Sequence, residues 1–294
     1  MKFGGLFKSI LQAGKADVQA RYEILREAVS GTMSKFYKAR DRETGEIVGL
    51  KVLDRIKTDA FEARFKGLNK PSEGEISAQL EHPRIVRTLR YGITTKNEPF
   101  LVMEFLNGPG LNSLIIGRHR ELDGQRLTLL CQAAEALVFV HESGFIHRDV
   151  CPRNFVTNRE VTGLKLIDFG LTVPDRPEFK QPGNRTGTPS YMSPEVVRRR
   201  PTDHRLDIFS FGVTAYELFT FELPWERGSG DGLAALAHDT TPPTAIETRR
   251  PQIDPKLANL VMRCLAVDPA DRPASMGHVL RALRLIQHID ANAP

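Results

Sequence analysis

The chain has 294 residues, of which 40% are hydrophobic and 26% charged, so a sizeable core is possible and a disordered chain is excluded. Its 41 basic and 36 acidic residues leave a formal charge of +5, and without clustering this does not point to nucleic acid. No stretch reaches the roughly 18 apolar residues needed to cross a membrane. The only tight basic run, Arg198, Arg199 and Arg200, is expected to be a solvated loop. Three cysteines, Cys131, Cys151 and Cys264, lie far apart, with neither zinc spacing nor a disulfide framework. That pattern predicts a reducing, cytoplasmic setting. A prior of about 150 residues per domain suggests two lobes or one large domain.

Taken in chain order, Phe3, Leu6, Phe7, Ile10 and Leu11 recur at helical spacing, with Lys2, Lys8 and Lys15 between them. Residues 1–21 are expected to form an extension, as a short docked helix or tail. The alternative is an amphipathic helix for a membrane surface or a partner. Gly4, Gly5 and Gly14 weaken the helix, and no signal-peptide cleavage pattern follows. Strands are predicted at Ile24–Ser30, Lys35–Arg40 and Ile47–Leu53, with Thr44-Gly45 at the tip of a turn. Lys57–Leu80 reads as helical but is interrupted by Gly67, Pro71 and Gly74. Strands Thr88–Ile93 and Pro99–Glu104 follow. Beyond Gly108-Pro109-Gly110 the pattern turns helical, at Glu121–Ser143, Leu206–Thr220, Lys256–Ala266 and Met276–Ile286. A sheet-rich part followed by a larger helical part is an α+β architecture.

The densest chemical signal is His147-Arg148-Asp149-Val150-Cys151-Pro152-Arg153-Asn154. Asp168-Phe169-Gly170 comes next, then Gly187-Thr188-Pro189-Ser190-Tyr191-Met192-Ser193-Pro194-Glu195. Upstream, Lys51 ends Val48-Gly49-Leu50-Lys51. Over about residues 22–287 the sequence resembles the eukaryotic-type protein kinase family. The resemblance implies a bilobal fold: a small N-terminal antiparallel sheet lobe with helix C (22–104), a hinge (105–110) and a larger helical lobe (111–287), then a tail (288–294).

It also implies roles. Phosphoryl transfer needs phosphates held still, their charge neutralised and a hydroxyl aimed in line. Lys51 would contact the ATP α- and β-phosphates, oriented by Glu73 on helix C, with Glu75 as the alternative. Asp149 would accept the substrate hydroxyl's hydrogen bond and then its proton. Asn154 and Asp168 would hold Mg²⁺, a hard cation that prefers oxygen. Glu195 and Arg272 match a buried ion pair of the family, and Asp207 matches the aspartate that braces the catalytic loop.

Several positions depart from the family pattern. The nucleotide-covering loop reads Val29-Ser30-Gly31-Thr32-Met33-Ser34-Lys35-Phe36, and only Gly31 of its three glycines survives. Weaker nucleotide binding is the expectation. Phe36 stands where valine is usual and Gly49 where alanine is usual. A larger residue beside a smaller one would conserve the volume of the adenine slot. Met103 would be its gatekeeper, Val156 its floor, and Glu104 and Leu106 the hinge residues offering backbone hydrogen bonds. Cys151 replaces the usual lysine, and Arg153 is expected to supply the missing charge. Beside Arg148 and Arg153, a Cys151 thiolate would be favoured, making it a candidate redox sensor. Arg148 would greet a phosphate on the activation segment. Asn184, at the usual acceptor position, is expected to bond it instead, with Thr186 as an alternative phosphorylation site. Ser77 and Thr88 occupy positions usually apolar, so helix C should be held loosely unless they bond each other.

These features imply a Ser/Thr protein kinase using ATP and Mg²⁺. The alternatives are a tyrosine or dual-specificity kinase, a pseudokinase acting as a nucleotide-binding or scaffolding module, and a kinase-fold enzyme acting on a small molecule. The expected partners are a protein substrate and a regulatory partner at helix C or the N-terminal segment, with no nucleic acid and no transmembrane segment. With about twenty residues in front of the domain, regulation is expected through that segment, the activation segment or a separate partner.

Overall fold

The computed structural model describes residues 12–30, 33–183, 185–225 and 234–290. The apolar run Phe3–Leu11, Gly31 and Asn184 lie outside the described residues. The chain divides into two compact units between Leu106 and Asn107.

The first unit is a six-stranded sheet. Its strands are β1 (Gln12–Ala16), β2 (Tyr22–Ser30), β3 (Ser34–Asp41), β4 (Ile47–Leu53), β5 (Thr88–Thr94) and β6 (Pro99–Glu104). Their order is β1-β5-β6-β4-β3-β2, with β1 parallel to β5 and every other pairing antiparallel. The alternation along β4 sorts its side chains. Val48 and Leu50 face a core with Tyr22, Ala39, Phe100 and Val102, so Gly49 and Lys51 point to the opposite face. Gly45, at φ +77°, closes the β3–β4 turn.

Part of the N-terminal extension is a strand rather than a helix. Residues 12–16 pair along the β5 edge, and the Thr95 N–H donates to the Ala16 carbonyl at 3.0 Å. A one-turn helix, α1 (Val18–Arg21), then leads into β2. The edge of β5 offers unpaired backbone groups, which a segment of low strand propensity can use as well as any other.

The interrupted stretch 57–80 splits where its breakers stand. Helix α2 (Arg55–Glu62) starts at the Asp54 cap, and the chain turns at Gly67, φ +85°. Helix α3 (Glu73–Ser77) is five residues long. It starts in a capping box in which the Ser72 hydroxyl accepts from the Glu75 N–H and the Glu75 carboxylate accepts from the Ser72 N–H. Its Gly74 lies against Tyr91 of β5, where a Cβ would come within 2.6 Å of the ring. Ser77 and Thr88 are both buried, but Thr88 Oγ1 has no hydrogen-bond partner among the described residues, so the two do not bond each other.

The second unit is built on α5 (Arg126–Glu142) and α7 (Arg205–Thr220), after α4 (Leu111–Ile116) and α6 (Pro194–Val197). Residues 206–219 of α7 are all buried, so that helix is enclosed on every face and forms the centre of the unit. Helices α8 (Ile246–Arg249), α9 (Pro255–Cys264) and α10 (Met276–Arg284) complete it. Helix α9 packs on α7, and α10 packs on α5. Short strand pairs β7 (Phe145–Ile146) with β10 (Val173–Pro174), and β8 (Phe155–Thr157) with β9 (Leu164–Leu166), frame the loops between. No helix among the described residues is long and apolar enough to cross a membrane.

The orphaned Thr88 hydroxyl makes the packing of α3 on β5 testable. Thr88→Val keeps the shape and removes a buried polar atom, so it should stabilise the protein by about 1 kcal/mol. Urea denaturation checks this, and a lower midpoint would count against the assignment.

Candidate active site

Each unit carries half of the candidate chemistry. In the sheet unit, the Lys51 Nζ lies 2.6 Å from Glu73 Oε1, and both residues are more than nine-tenths buried. The partner is Glu73 and not Glu75, because the capping box holds the Glu75 carboxylate on Ser72. A charge pair this buried repays its desolvation only with close geometry.

The same face holds the rebuilt wall. An ideal Cβ at Gly49 would stand 2.7 Å from Phe36 Cζ and 3.1 Å from Met103 Cγ. The Phe36 ring thus occupies the space that an alanine methyl at residue 49 needs. Met103 is buried beside it. Glu104 uses its N–H on the Arg87 carbonyl and its side chain on the Arg87 N–H, at 3.0 and 2.7 Å. Leu106 is half-buried at the end of this unit.

In the helical unit, the catalytic-loop candidates hang on one buried carboxylate. Asp207 is fully buried and accepts from the His147 N–H and the Arg148 N–H, each at 2.8 Å. His141 Nε2 lies 2.8 Å from the same carboxylate. Burial by itself raises this carboxyl, but the bond to His141 and the nearby positive charge outweigh it and hold the group below its ordinary value. The two amide bonds hold Arg148 at φ +70°, a left-handed conformation costly for arginine. That turn presents Asp149.

Asp149 Oδ1 accepts from both the N–H and the hydroxyl of Thr188, each at 2.8 Å. Its Oδ2 accepts from Asn154 Nδ2 at 3.0 Å, and the same nitrogen donates to the Asp149 carbonyl at 2.7 Å. Asn154 therefore keeps its amide oxygen for other work. The Ile167 N–H donates to the Asn154 carbonyl at 3.0 Å, which brings Asp168 beside Asn154. Asp168 Oδ1 accepts from the Gly170 N–H at 2.8 Å. No group of three or more His, Cys, Asp and Glu among the described residues is placed to cage a metal. One amide oxygen and one carboxylate fit Mg²⁺, which keeps several waters and binds few protein ligands. Val156 lies on β8 and bridges to Gly110.

Arg153 is exposed on the turn 152–154 and has no carboxylate partner among the described residues. Cys151 is the opposite. It is 1% exposed, and burial pushes its thiol up to about 12, with Asp149 adding to the rise. Its sulfur lies 3.6 Å from the Thr188 hydroxyl. The flanking arginines do not offset this, so Cys151 is not a reactive thiolate. Arg148 Nη2 donates to Thr186 Oγ1 at 3.0 Å, and Asn184 lies outside the described residues.

Some residues have no sequence signal. His238 is buried, lies tilted against Trp225 with centroids 4.3 Å apart, and places Nδ1 2.7 Å from the Met192 carbonyl. The Tyr191 hydroxyl donates to Glu217. Both fasten the end of the activation segment to the helical core. His238 lies in no motif, and Tyr191 lies in the Gly187–Glu195 run with nothing there to point to Glu217, so only the fold brings the partners together.

A family model described as the protein kinase domain matches residues 22–286. The chain belongs to the protein kinase family. It is 33% identical over 269 residues to the serine/threonine-protein kinase pkn3 of Myxococcus xanthus, covering 87% of this chain and 48% of that one. It is 31% identical over 265 residues to the serine/threonine-protein kinase PknB of Mycolicibacterium smegmatis, covering 86% and 40%. It is also 31% identical over 285 residues to the serine/threonine-protein kinase A of Synechocystis, covering 91% and 53%. The chain thus spans about half the length, or less, of these relatives.

Two outcomes follow from the geometry. Gly49→Ala should destabilise the chain by roughly 1–3 kcal/mol through overpacking, and adding Phe36→Val should restore most of the loss. Additive losses in the melting midpoints would show that the two residues do not share this space. Alkylation of the native protein with iodoacetamide at pH 8 should spare Cys151 until the chain is unfolded. Peptide mapping reads the modified position.

Proposed function

We propose that this chain transfers the γ-phosphate of ATP to serine and threonine hydroxyls of proteins. One observation carries the reading. A carboxylate offers about four lone-pair sites, and on Asp149 three are used by Thr188 and Asn154. The site left, on Oδ2, is the acceptor for a substrate hydroxyl. Thr188, bonded through its own hydroxyl, favours serine and threonine over tyrosine.

Asn154 and Asp168 would hold Mg²⁺. When bound, the metal would neutralise charge on the phosphate oxygens. Lys51, oriented by Glu73, supplies a fixed cation for the α- and β-phosphates. Arg153 supplies the charge that Cys151 lacks. Phe36, Gly49 and Met103 would supply the sheet unit's contacts to the adenine ring, and Val156 is the helical unit's candidate contact. The carbonyl of Glu104 and the backbone of Leu106 supply polar contacts. The short α3, resting on Tyr91 beside an unsatisfied Thr88, suits control by a partner or by the N-terminal segment. The three free cysteines suit the cytoplasm.

Labelled ATP with Mg²⁺ should phosphorylate a protein acceptor, and hydrolysis should yield phosphoserine and phosphothreonine. Asp149→Asn should lower the rate by about a hundredfold or more. An unchanged rate in the variant, or phosphotyrosine alone, would overturn the proposal.

A further inference from the structure

The run Arg198-Arg199-Arg200 is left without a role by the chemistry above. It directly follows α6, whose last residue, Val197, accepts at its carbonyl from Arg185 Nε at 2.7 Å. Arg185 stands three residues before Thr188, which holds Asp149. The four arginines are exposed and stitched to one stretch of the activation segment.

Their counter-charges can be followed one by one. Residues 170–205 contain seven Lys and Arg and four Asp and Glu, a balance of 7 − 4 = +3. Asp175 pairs with Lys180, Glu178 with Arg176 and Asp203 with Arg205. Glu195 is taken by Arg272 from outside the segment. Asp239 pairs with Arg198 at 2.6 Å. Arg200 also acts on Asp239, but more weakly than Arg198 does. Arg185, Arg199 and Arg200 are left with no ion pair among the described residues. The segment's own carboxylates are all spent, while its guanidiniums are not.

We infer that this arginine stripe selects acidic substrates, with Asp or Glu side chains near the acceptor hydroxyl. The inference rests on the kinase reading and names the class of peptide it takes. A guanidinium forks onto a carboxylate in two parallel bonds, so the stripe prefers carboxylates to neutral side chains. Exposed pairs are screened by salt, so the preference should act on binding and fade at high ionic strength.

The test uses three peptides with one central serine flanked by alanine, by aspartate and glutamate, or by lysine. The acidic peptide should show a KM about tenfold below the alanine peptide at low salt, with a similar kcat, and the gap should narrow in 0.5 M salt. The lysine peptide should be the poorest. The R199A/R200A variant should lose most of this preference while still phosphorylating the alanine peptide. The single variant R200A gives an independent check, should the double variant fold poorly. Equal KM values for acidic and neutral peptides, or a preference that survives in both variants, would overturn the inference and leave the kinase reading standing. No transfer to any peptide and no Asp149-dependent autophosphorylation would overturn both.

Discussion

The helical unit depends on one buried carboxylate. Asp207 has no solvent contact, so its charge must be stabilised from within. The His147 and Arg148 amides and the His141 ring do this together. The arrangement is reciprocal. The backbone satisfies the carboxylate, and the carboxylate fixes the backbone at a turn that arginine does not adopt readily. A neutral side chain in its place would weaken the bonds that hold the strain. Because α7 is buried along almost its whole length, Asp207 cannot relax away from the loop it holds. The orientation of Asp149 is thus set from the core.

From Asp149 the constraint passes outward along hydrogen bonds. Thr188 clamps one carboxylate oxygen, and Asn154 the other. Thr188 also meets the Cys151 sulfur, so the residue that replaces the family's lysine serves packing. That is why burial and reactivity oppose each other at Cys151. A thiol close enough to support Thr188 is too far from water to ionise. Glu195, paired with Arg272, and Tyr191, bonded to Glu217, fasten the far end of the same segment.

Much of this was legible in the sequence, and what was hidden has a physical cause. Strands Ile47–Leu53 and Pro99–Glu104 were expected at their observed limits, because strong β-formers between turn residues leave few alternatives. Helix α7 was read to within one residue of its start. Strand β1 was not expected, since pairing along an edge uses backbone groups that any side chain permits. The choice between Glu73 and Glu75 could be argued by spacing alone until the capping box showed which carboxylate was already engaged. His141 and His238 carry no signal at all. Each acts on a partner at least 46 residues away, and a histidine on a helix has many possible roles. The pairing of Phe36 with Gly49 was readable as a volume argument, and the 2.7 Å approach gives it a geometry.

The activation segment is held at several points along its length. Arg148 reaches a threonine hydroxyl, which offers a hydrogen bond but no charge. Such a bond is weaker than one to a phosphate, which brings nearly two negative charges and three acceptor oxygens. The segment has other fastenings as well: Thr188 on Asp149, Arg185 on the Val197 carbonyl, and His238 on the Met192 carbonyl. Each is modest, but all bind one short stretch of chain, so ordering any part lowers the entropic cost of ordering the rest. The segment then holds its shape through several fastenings distributed along it. The side chains of Arg199 and Arg200 take no part in those fastenings and are exposed.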